Sequence, residues 1–370
     1  MKQNRHIHYL DYLRVFAALC VVWMHTAAPG LRAGVTRGWH LMNLVTSLAF
    51  TAVPLFFMIS GFLLLSDEKT VRTDVLLKRR LPRLFWPLLC WTLVVALWHC
   101  YQFSAFHLSY IVEQLVSTLY NPILIPFWFM YTLLAIYLIS PLLRGGVTAV
   151  GREGGRVVLC IAAVVSLRAM VLPFLPDEWQ HWLNVDILNK LRAWGGYLLL
   201  FLLGWYLGNL ERKIDNRLLI AVAVVCYAVI VVGTWRRTVD HGEYDALFQD
   251  QSAGFEVILA VCLFLLAKQN LDRPWKPLQR SGLVPLLLPV YFLHAVLLTM
   301  FNHIGINPMR TPAIAGATLL NFLLCWLIAK TLASFRWTCY PFTGMPYDRA
   351  CQSCNWTWTA RRWKKRRAGK

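Results

Sequence analysis

Long apolar runs separated by short polar connections recur along almost the whole chain. An α-helix needs about 20 apolar residues to cross the hydrocarbon core of a membrane, and most of these runs approach or exceed that length. The pattern predicts an all-α fold, a polytopic membrane helix bundle with about ten transmembrane helices. The predicted spans lie near residues 10–29, 44–65, 84–101, 126–144, 156–175, 194–210, 216–235, 254–269, 283–301 and 313–335.

A weaker apolar run near 108–120 contains Glu113 and Gln114, and we interpret it as an interfacial or re-entrant piece. Further apolar spans follow the first run at once, so a cleavable signal peptide is not expected. We predict one integral membrane domain over residues 1–335 and a basic cytoplasmic tail over residues 336–370.

Composition and charge agree with a membrane protein. Of the 370 residues, 58% are hydrophobic and 15% are charged, and the mean hydropathy of +0.51 excludes an ordinary soluble domain. With the N-terminus inside, the inner segments hold 27 of the 37 basic residues, the outer connections hold 7 and the spans hold 3. Basic residues favour cytoplasmic connections, so both termini are predicted to lie in the cytoplasm.

This topology accounts for the net charge of +19, so no nucleic-acid partner is expected. We interpret the basic and aromatic run at 361–367 as an anchor on anionic membrane lipid. Seven of the ten cysteines fall in apolar runs, where a free thiol behaves as a small hydrophobe. Cys351 and Cys354 have a spacing that could bind zinc or cycle in redox state, but no second pair matches them. No metal ion is therefore expected.

Two ionisable residues, Arg14 and His25, interrupt the first apolar run. Because an ionisable side chain in hydrocarbon is costly, it marks a candidate functional site. The two residues share one helix face roughly 16 Å apart, and Asp11 lies one turn before Arg14, where it can form an ion pair. Alternatively, Arg14 and His25 snorkel to opposite interfaces. We favour function, because a neutral imidazole can take a proton from a hydroxyl.

The second span contains Pro54 and the pair Ser60-Gly61. Small residues allow helices to approach closely, so packing is one interpretation of this pair. In the other interpretation, a kink at Pro54 frees backbone groups that line a cavity. Arg80 and Arg83, at the start of the third span, fit a positive-inside anchor or an anion clamp equally well, and free N–H groups at that helix start would assist the clamp.

Tyr291 and His294 lie one turn apart on one face of the ninth span. A core pair and a site role are equally consistent with that spacing. Arg168 and Glu256, near the outer ends of their spans, are left open between an interfacial position and a site role.

These residues resemble the acyltransferase-3 family of bacterial inner-membrane O-acyltransferases, and in particular its short members without an appended extracytoplasmic hydrolase-like domain. The chain departs from the family where a histidine often precedes the Trp-Phe pair, because Ile125-Pro-Phe127 stands there, and in its Leu288-Pro-Val-Tyr291 approach to the late histidine. The matching motifs, spread over most of the chain, are Asp11-x-Leu-Arg14-x10-His25, Phe-Phe-x-x-Ser60-Gly61-Phe, Arg80-x-x-Arg83, Trp128-Phe129 followed by Tyr-Leu-Ile-Ser-Pro, and Tyr-x-x-His294.

The resemblance implies transfer of an acetyl group from cytoplasmic acetyl-CoA, as co-substrate, to a hydroxyl of a cell-surface glycan or its lipid-linked precursor. It implies that Arg14, braced by Asp11, holds the pantetheine end or polarises the thioester carbonyl. It also implies that His25 is the general base or briefly carries the acyl group.

The remaining residues of the resemblance are expected to bind substrate. Arg80 and Arg83 would hold the phosphates of acetyl-CoA, and Ser60, Tyr291 and His294 would orient the reactants. The main rival is a membrane carrier for a glycan-lipid or a small anion, since intramembrane charges and Pro-broken helices also mark carriers. A purely structural subunit is a third class, but it would not need the charged stripe from Asp11 to His25.

Overall fold

The computed structural model describes residues 6–103, 106–252, 254–306 and 308–353. Within these ranges the regular secondary structure is helical and contains no β-strand, which confirms the all-α prediction. The described α-helices are α1 (His8–Arg32), α2 (Trp39–Ala49), α3 (Ala52–Leu65), α4 (Glu68–Val71), α5 (Thr73–Val75), α6 (Leu81–Gln102), α7 (Leu108–Ser117), α8 (Trp128–Val171), α9 (Asp177–Leu183), α10 (Asp186–Asn209), α11 (Asn216–His241), α12 (Gly254–Asn270), α13 (Lys276–Ser281), α14 (Leu287–His303), α15 (Thr311–Ser334), α16 (Arg336–Thr343) and α17 (Tyr347–Ser353).

Nine helical segments among the described residues are long and apolar enough to cross a membrane, which confirms a polytopic membrane protein. One of them, Trp39–Leu65, joins α2 and α3. The predicted span at 194–210 corresponds to the end of α10, where the apolar stretch Gly196–Asn209 is shorter. The weak run near 108–120 forms α7, a short helix in which Ile111 is buried.

The fourth and fifth predicted spans form one long helix, α8, that breaks at Gly151. Gly151 has φ 54° and ψ −139°, a conformation that glycine adopts far more readily than other residues. The segments on either side, Ile125–Gly151 and Glu153–Phe174, are each long enough to span a membrane. The expected connection between these two spans is therefore reduced to a break centred on one glycine.

The chain divides into two compact units. Unit 1 contains Met1–Val71, Ser140–Arg273 and Pro308–Ala317, and it carries the candidate residues Asp11, Arg14, His25 and Ser60. Unit 2 contains Arg72–Ile139, Pro274–Asn307 and Thr318–Lys370, and it carries the candidate residues Arg80, Arg83, Tyr291 and His294.

Helices α3 and α10 of unit 1 touch through their backbones. A Cβ on Gly61 of α3 would lie 1.8 Å from the carbonyl oxygen of Phe201, and one on Gly204 of α10 would lie 2.0 Å from that of Met58. Only glycine permits this approach at both positions. The packing interpretation of the Ser60-Gly61 pair is therefore confirmed for Gly61.

Two basic side chains in unit 1 cap helix C-termini. The Nζ of Lys268 donates to three backbone carbonyl oxygens around the end of α10, at 2.8, 2.8 and 2.7 Å. Arg144 donates from Nη1 to the carbonyl oxygen of Leu65 at the end of α3. The last carbonyls of a helix lack intrahelical partners and carry partial negative charge, so a cation there is stabilising.

Helix α6 of unit 2 packs against α7, α14 and α16. The Trp91 indole of α6 donates to the carbonyl oxygen of Phe342 at 3.1 Å, and the two rings meet edge to face with centroids 5.3 Å apart. The residues after the last span are therefore packed on the third span. Residues from 354 onward, including Cys354 and the basic run at 361–367, lie outside the described residues.

The start of the third span differs from the prediction. Residues Leu76–Arg80 form a turn of π-helix that continues directly into α6, and the Leu81 N–H donates to the carbonyl oxygen of Leu76. In this described stretch the helix therefore does not begin at Pro82, and the expectation that free helix N–H groups assist an anion site there is wrong. The π-helical turn carries a run of basic residues instead, and such turns often occur at functional sites.

Candidate functional site

Asp11 and Arg14 form the ion pair that their spacing predicts. The Nη1 of Arg14 lies 3.6 Å from Oδ1 of Asp11, and 32% of the Arg14 side chain is exposed against 11% for Asp11. The second carboxylate oxygen of Asp11 lies 2.5 Å from Nε2 of His6. The buried carboxylate thus holds the guanidinium of Arg14 at the start of α1, where a ligand can still reach it.

The N-terminal end of α1 is fixed to the end of α12 and the residues that follow it. The His8 N–H donates to Oδ1 of Asp272 at 2.9 Å, and the hydroxyl of Tyr12 donates to the carbonyl oxygen of Arg273 at 2.7 Å. These two bonds restrain the turn that carries the Asp11–Arg14 ion pair.

His25 lies on the same unbroken helix as Arg14. Helix α1 continues to Arg32 with Pro29 inside it, so the two side chains are separated by about three turns, or about 16 Å along the axis. His25 is half-buried, whereas its neighbours Met24 and Thr26 are buried. The imidazole is therefore set in a well-packed part of the helix without being fully enclosed.

Ser60 lies on α3, which packs against α1. Its side chain is half-buried, and the next residue, Gly61, is at the backbone contact with α10. The structure thus brings the helix of Ser60 next to the helix of Arg14 and His25. The role of Ser60 in orienting a ligand stays a prediction.

Glu256 of α12 is a buried carboxyl group in unit 1. It is 0% exposed, and neither of its carboxylate oxygens has a hydrogen-bond partner among the described residues. Helix α12 packs against both α1 and α3. Buried polar groups without a partner are rare and often functional, so the structure favours a site role for Glu256 over an interfacial position.

Arg80 and Arg83 line one cavity of unit 2, with a volume of about 240 Å³. Tyr137 of α8 and Arg349 of α17 face the same cavity. Three arginines around one space form a binding site suited to a phosphate or carboxylate group, because the guanidinium can donate two parallel hydrogen bonds. The structure therefore brings together the two arginines that the sequence proposes as an anion clamp.

A second cavity, of about 300 Å³, shares Arg83 with the first. Lys78 and Arg79 of the π-helical turn and Tyr340 of α16 complete its polar wall. Sequence reasoning missed Tyr340 and Arg349, because they lie more than 250 residues from Arg83 in a segment that the charge pattern assigned to a tail. The only available signal was the basic character of Arg349 itself.

Tyr291 and His294 lie side by side on α14, with ring centroids 5.9 Å apart. The hydroxyl of Tyr291 donates to the carbonyl oxygen of Pro126. His294 is 0% exposed, and its backbone carbonyl accepts a bond from Nδ2 of Asn321 at 3.1 Å. Both residues are built into the packing of unit 2, and their part in binding substrate stays a prediction.

His6, His8 and Asp11 offer possible metal-ligand atoms that all lie within 4.8 Å of one another. Asp11 is already paired with Arg14, and a guanidinium beside a metal-ligating carboxylate opposes the charge of the ion. The expectation that no metal ion is needed stays a prediction.

Residues 7–330 match the model of a protein family described as an acyltransferase domain, Acyl_transf_3. The matched region includes the Asp11–His25 stripe, the π-helical turn and the Tyr291–His294 pair, and it ends within α15, before α16 and α17 begin. Comparisons with curated proteins and with solved structures found no significant match.

Proposed function

The chain belongs to the acyltransferase-3 family and is a membrane acyltransferase, and from this premise we propose that it is an acetyl-CoA-dependent O-acetyltransferase. The acetyl group passes from cytoplasmic acetyl-CoA to a hydroxyl of a cell-surface glycan or of its lipid-linked precursor. The family match favours this enzyme over a carrier for a glycan-lipid or a small anion.

Helix α1 carries this proposal. It presents an arginine held by a buried carboxylate at one end, and on the same unbroken helix a half-buried histidine about 16 Å further along. This arrangement suits an acyl transfer in which the arginine holds the extended donor and the histidine, three turns away, handles a proton at the thioester. A carrier has no need of a general base at a fixed distance from a cation.

The transfer step requires one proton acceptor. The acceptor hydroxyl oxygen attacks the carbonyl carbon of the thioester while a ring nitrogen of His25 takes the hydroxyl proton. The carbon–sulfur bond then breaks, and coenzyme A leaves as a thiolate that recovers this proton from the imidazolium. In a second version, a ring nitrogen of His25 attacks the thioester, the carbon–sulfur bond breaks and coenzyme A leaves as a thiolate. The acceptor hydroxyl then displaces the acetyl group from the imidazole, and the hydroxyl proton passes to the thiolate. Arg14, about 16 Å along the helix from His25, holds the pantetheine arm of the donor in either version.

The basic cavities of unit 2 supply the binding groups for the donor. Coenzyme A carries a diphosphate and a 3′-phosphate, and Arg80 and Arg83 offer guanidinium groups to such anions. Ser60, Tyr291 and His294 orient the pantetheine arm and the acceptor.

The acceptor and the cellular location are part of the proposal. The protein lies in the bacterial inner membrane with both termini in the cytoplasm, as the distribution of basic residues supports. The acceptor is a glycan or a lipid-linked saccharide of the kind modified by the enterobacterial common antigen O-acetyltransferase, whose motifs this chain resembles.

Purified full-length protein in lipid nanodiscs tests the enzyme against the carrier. We expect it to bind radiolabelled acetyl-CoA. When acceptor is absent, we expect it to hydrolyse the thioester slowly and so to release coenzyme A as a free thiol. The His25→Ala variant should bind acetyl-CoA and release no thiol, and His107→Ala, at an exposed histidine, should behave like wild type. Failure of the wild-type protein to bind acetyl-CoA would contradict the proposal.

A further inference from the structure

The C-terminal helices α16 and α17 lie beyond the region that matches the family, yet α16 lines both basic cavities and α17 lines the first. We propose that this segment is an integral part of the donor site, and that Arg349 binds a phosphate group of acetyl-CoA together with Arg80 and Arg83. This inference rests on the proposed function. It adds a binding residue outside the family domain and assigns a role to a segment that the sequence identified only as a basic tail.

The turn after α16 is packed directly on the basic segment. Gly344 adopts a left-handed conformation with φ 65°, and a Cβ there would lie 2.1 Å from the carbonyl oxygen of Arg83. Any other residue would be strained in conformation and would also collide with the backbone. The turn thus contacts the arginine that lines both cavities.

Hydrogen bonds hold the segment in one shape. The Trp91 indole bonds to the carbonyl oxygen of Phe342 at 3.1 Å. The thiol of Cys339 donates to the carbonyl oxygen of Met345 at 3.1 Å, and the Met345 N–H donates to the hydroxyl of Thr343 at 3.2 Å. Cys339, Thr343 and Met345 are buried. Helix α17 therefore leaves this turn in a defined direction, which places Arg349 at the first cavity.

The cavities concentrate positive charge. Arg80, Arg83 and Arg349 line the first cavity, and Lys78, Arg79 and Arg83 line the second. Among the described residues, no acidic side chain lines either cavity. Like charges collected at the edge of a low-dielectric bundle repel each other, and an anion that binds among them removes that cost.

A phosphate-bearing ligand fits these features. Three arginines around about 240 Å³, with lysine and arginine in the adjoining space of about 300 Å³, can pair with several phosphate oxygens at once. The phosphates could come from acetyl-CoA or from an anionic lipid headgroup. We assign them to acetyl-CoA, because Tyr137 and Tyr340 add aromatic walls that a nucleotide can use and a headgroup does not need.

The test compares wild type with the variants Arg349→Gln and Arg349→Lys. The matched control is Arg336→Gln, because Arg336 is an exposed arginine of the same segment and lines neither cavity. Equilibrium binding is measured on full-length protein in nanodiscs of neutral lipid, with acetyl-CoA, 3′-dephospho-acetyl-CoA and S-acetylpantetheine as ligands. We expect Arg349→Gln to weaken acetyl-CoA binding about tenfold. Arg349→Lys should restore part of it, and Arg336→Gln should match wild type. Binding of S-acetylpantetheine, which lacks phosphate, should be the same in all four proteins.

Four results separate the possible failures. If wild type does not bind acetyl-CoA, the proposed function is wrong. If wild type binds acetyl-CoA and Arg349→Gln binds it equally well, the function stands and the role of Arg349 is wrong. Binding of phosphatidylglycerol is measured separately, with nanodiscs that contain this lipid. If Arg349→Gln weakens the binding of phosphatidylglycerol but not that of acetyl-CoA, the site belongs to a lipid headgroup and the assignment to acetyl-CoA is overturned. An equal loss of S-acetylpantetheine binding would show a general structural defect and would also overturn it.

Discussion

Replacing Gly61 by alanine tests the closest contact of unit 1. The Cβ would lie 1.8 Å from the carbonyl oxygen of Phe201, although real Cβ atoms essentially never come closer than 3.0 Å to such a neighbour. The obstacle is backbone in the middle of α10, so it cannot rotate away as a side chain would. Helices α3 and α10 must therefore separate locally by at least about 1.2 Å, the difference between these two distances.

The cost follows from the lost packing. A radial gap of about 0.5–1 Å already removes a quarter to a half of the dispersion energy of each contact. Overpacking a well-packed core costs about 1–3 kcal/mol, and we expect the upper end, about 3 kcal/mol, because the backbone itself must move. At about 2–4 °C per kcal/mol, the Tm should fall by about 6–12 °C.

Thermal unfolding of purified protein in nanodiscs measures this effect. The matched control is Gly145→Ala in α8, where a Cβ meets no atom within 4 Å and alanine is the better helix former. Its Tm should stay unchanged or rise slightly. Gly204→Ala meets the same contact from the other helix and should resemble Gly61→Ala. A Tm for Gly61→Ala within about 1 °C of wild type would refute the backbone contact.

Three further predictions concern charge and the thiol of α16. Lys268→Met should lower stability by about 2 kcal/mol or more in the same unfolding assay, because three carbonyl oxygens at the end of α10 lose a charged donor, whereas exposed Lys276→Met should change little. Partial burial acts to raise the pKa of Asp245, but the bonds and charge of Arg237 outweigh it and hold that pKa below its usual value. The stabilisation of the folded protein by the ionised Asp245 carboxylate should therefore be present at neutral pH and lost as the pH falls below about 4. The Tm of Asp245→Asn should accordingly lie below that of wild type at neutral pH and converge with it in acid. A Tm difference that stays constant with pH would contradict this. Burial raises the pKa of Cys339 to about 11, so mass spectrometry should find this thiol unmodified by iodoacetamide at pH 7.5 in folded protein and modified after denaturation.

The sequence predicted the membrane architecture well because the physical signal is local. Hydrocarbon forces each spanning segment to satisfy its own backbone hydrogen bonds, so an apolar run such as that of α1 predicts its helix without knowledge of its neighbours. The Asp11–Arg14 ion pair is likewise predictable, since three residues fix one turn of helix. The packing role of Gly61 followed from residue size alone.

Features that depend on distant parts of the chain could not be predicted. The π-helical turn at Leu76–Arg80 removes the helix start expected at Pro82, and no pattern in the run of basic residues distinguishes the two geometries. Arg349 reaches the cavity of Arg83 only through the turn at Gly344. The positive-inside pattern explained Lys268 and Arg349 by topology alone, and so it hid the capping role of Lys268 and the position of Arg349 at the cavity.

The transfer of label from acetyl-CoA into membranes tests the central proposal most directly. Membranes with wild-type protein, His25→Ala or the exposed control His107→Ala are incubated with acetyl-labelled acetyl-CoA, and label is counted in the glycan and lipid fractions. We predict incorporation with wild type and with His107→Ala, and none with an equal amount of folded His25→Ala protein. Incorporation by His25→Ala at the wild-type level would contradict the role of His25, and no incorporation by any protein with acceptor present would contradict acetyl transfer itself.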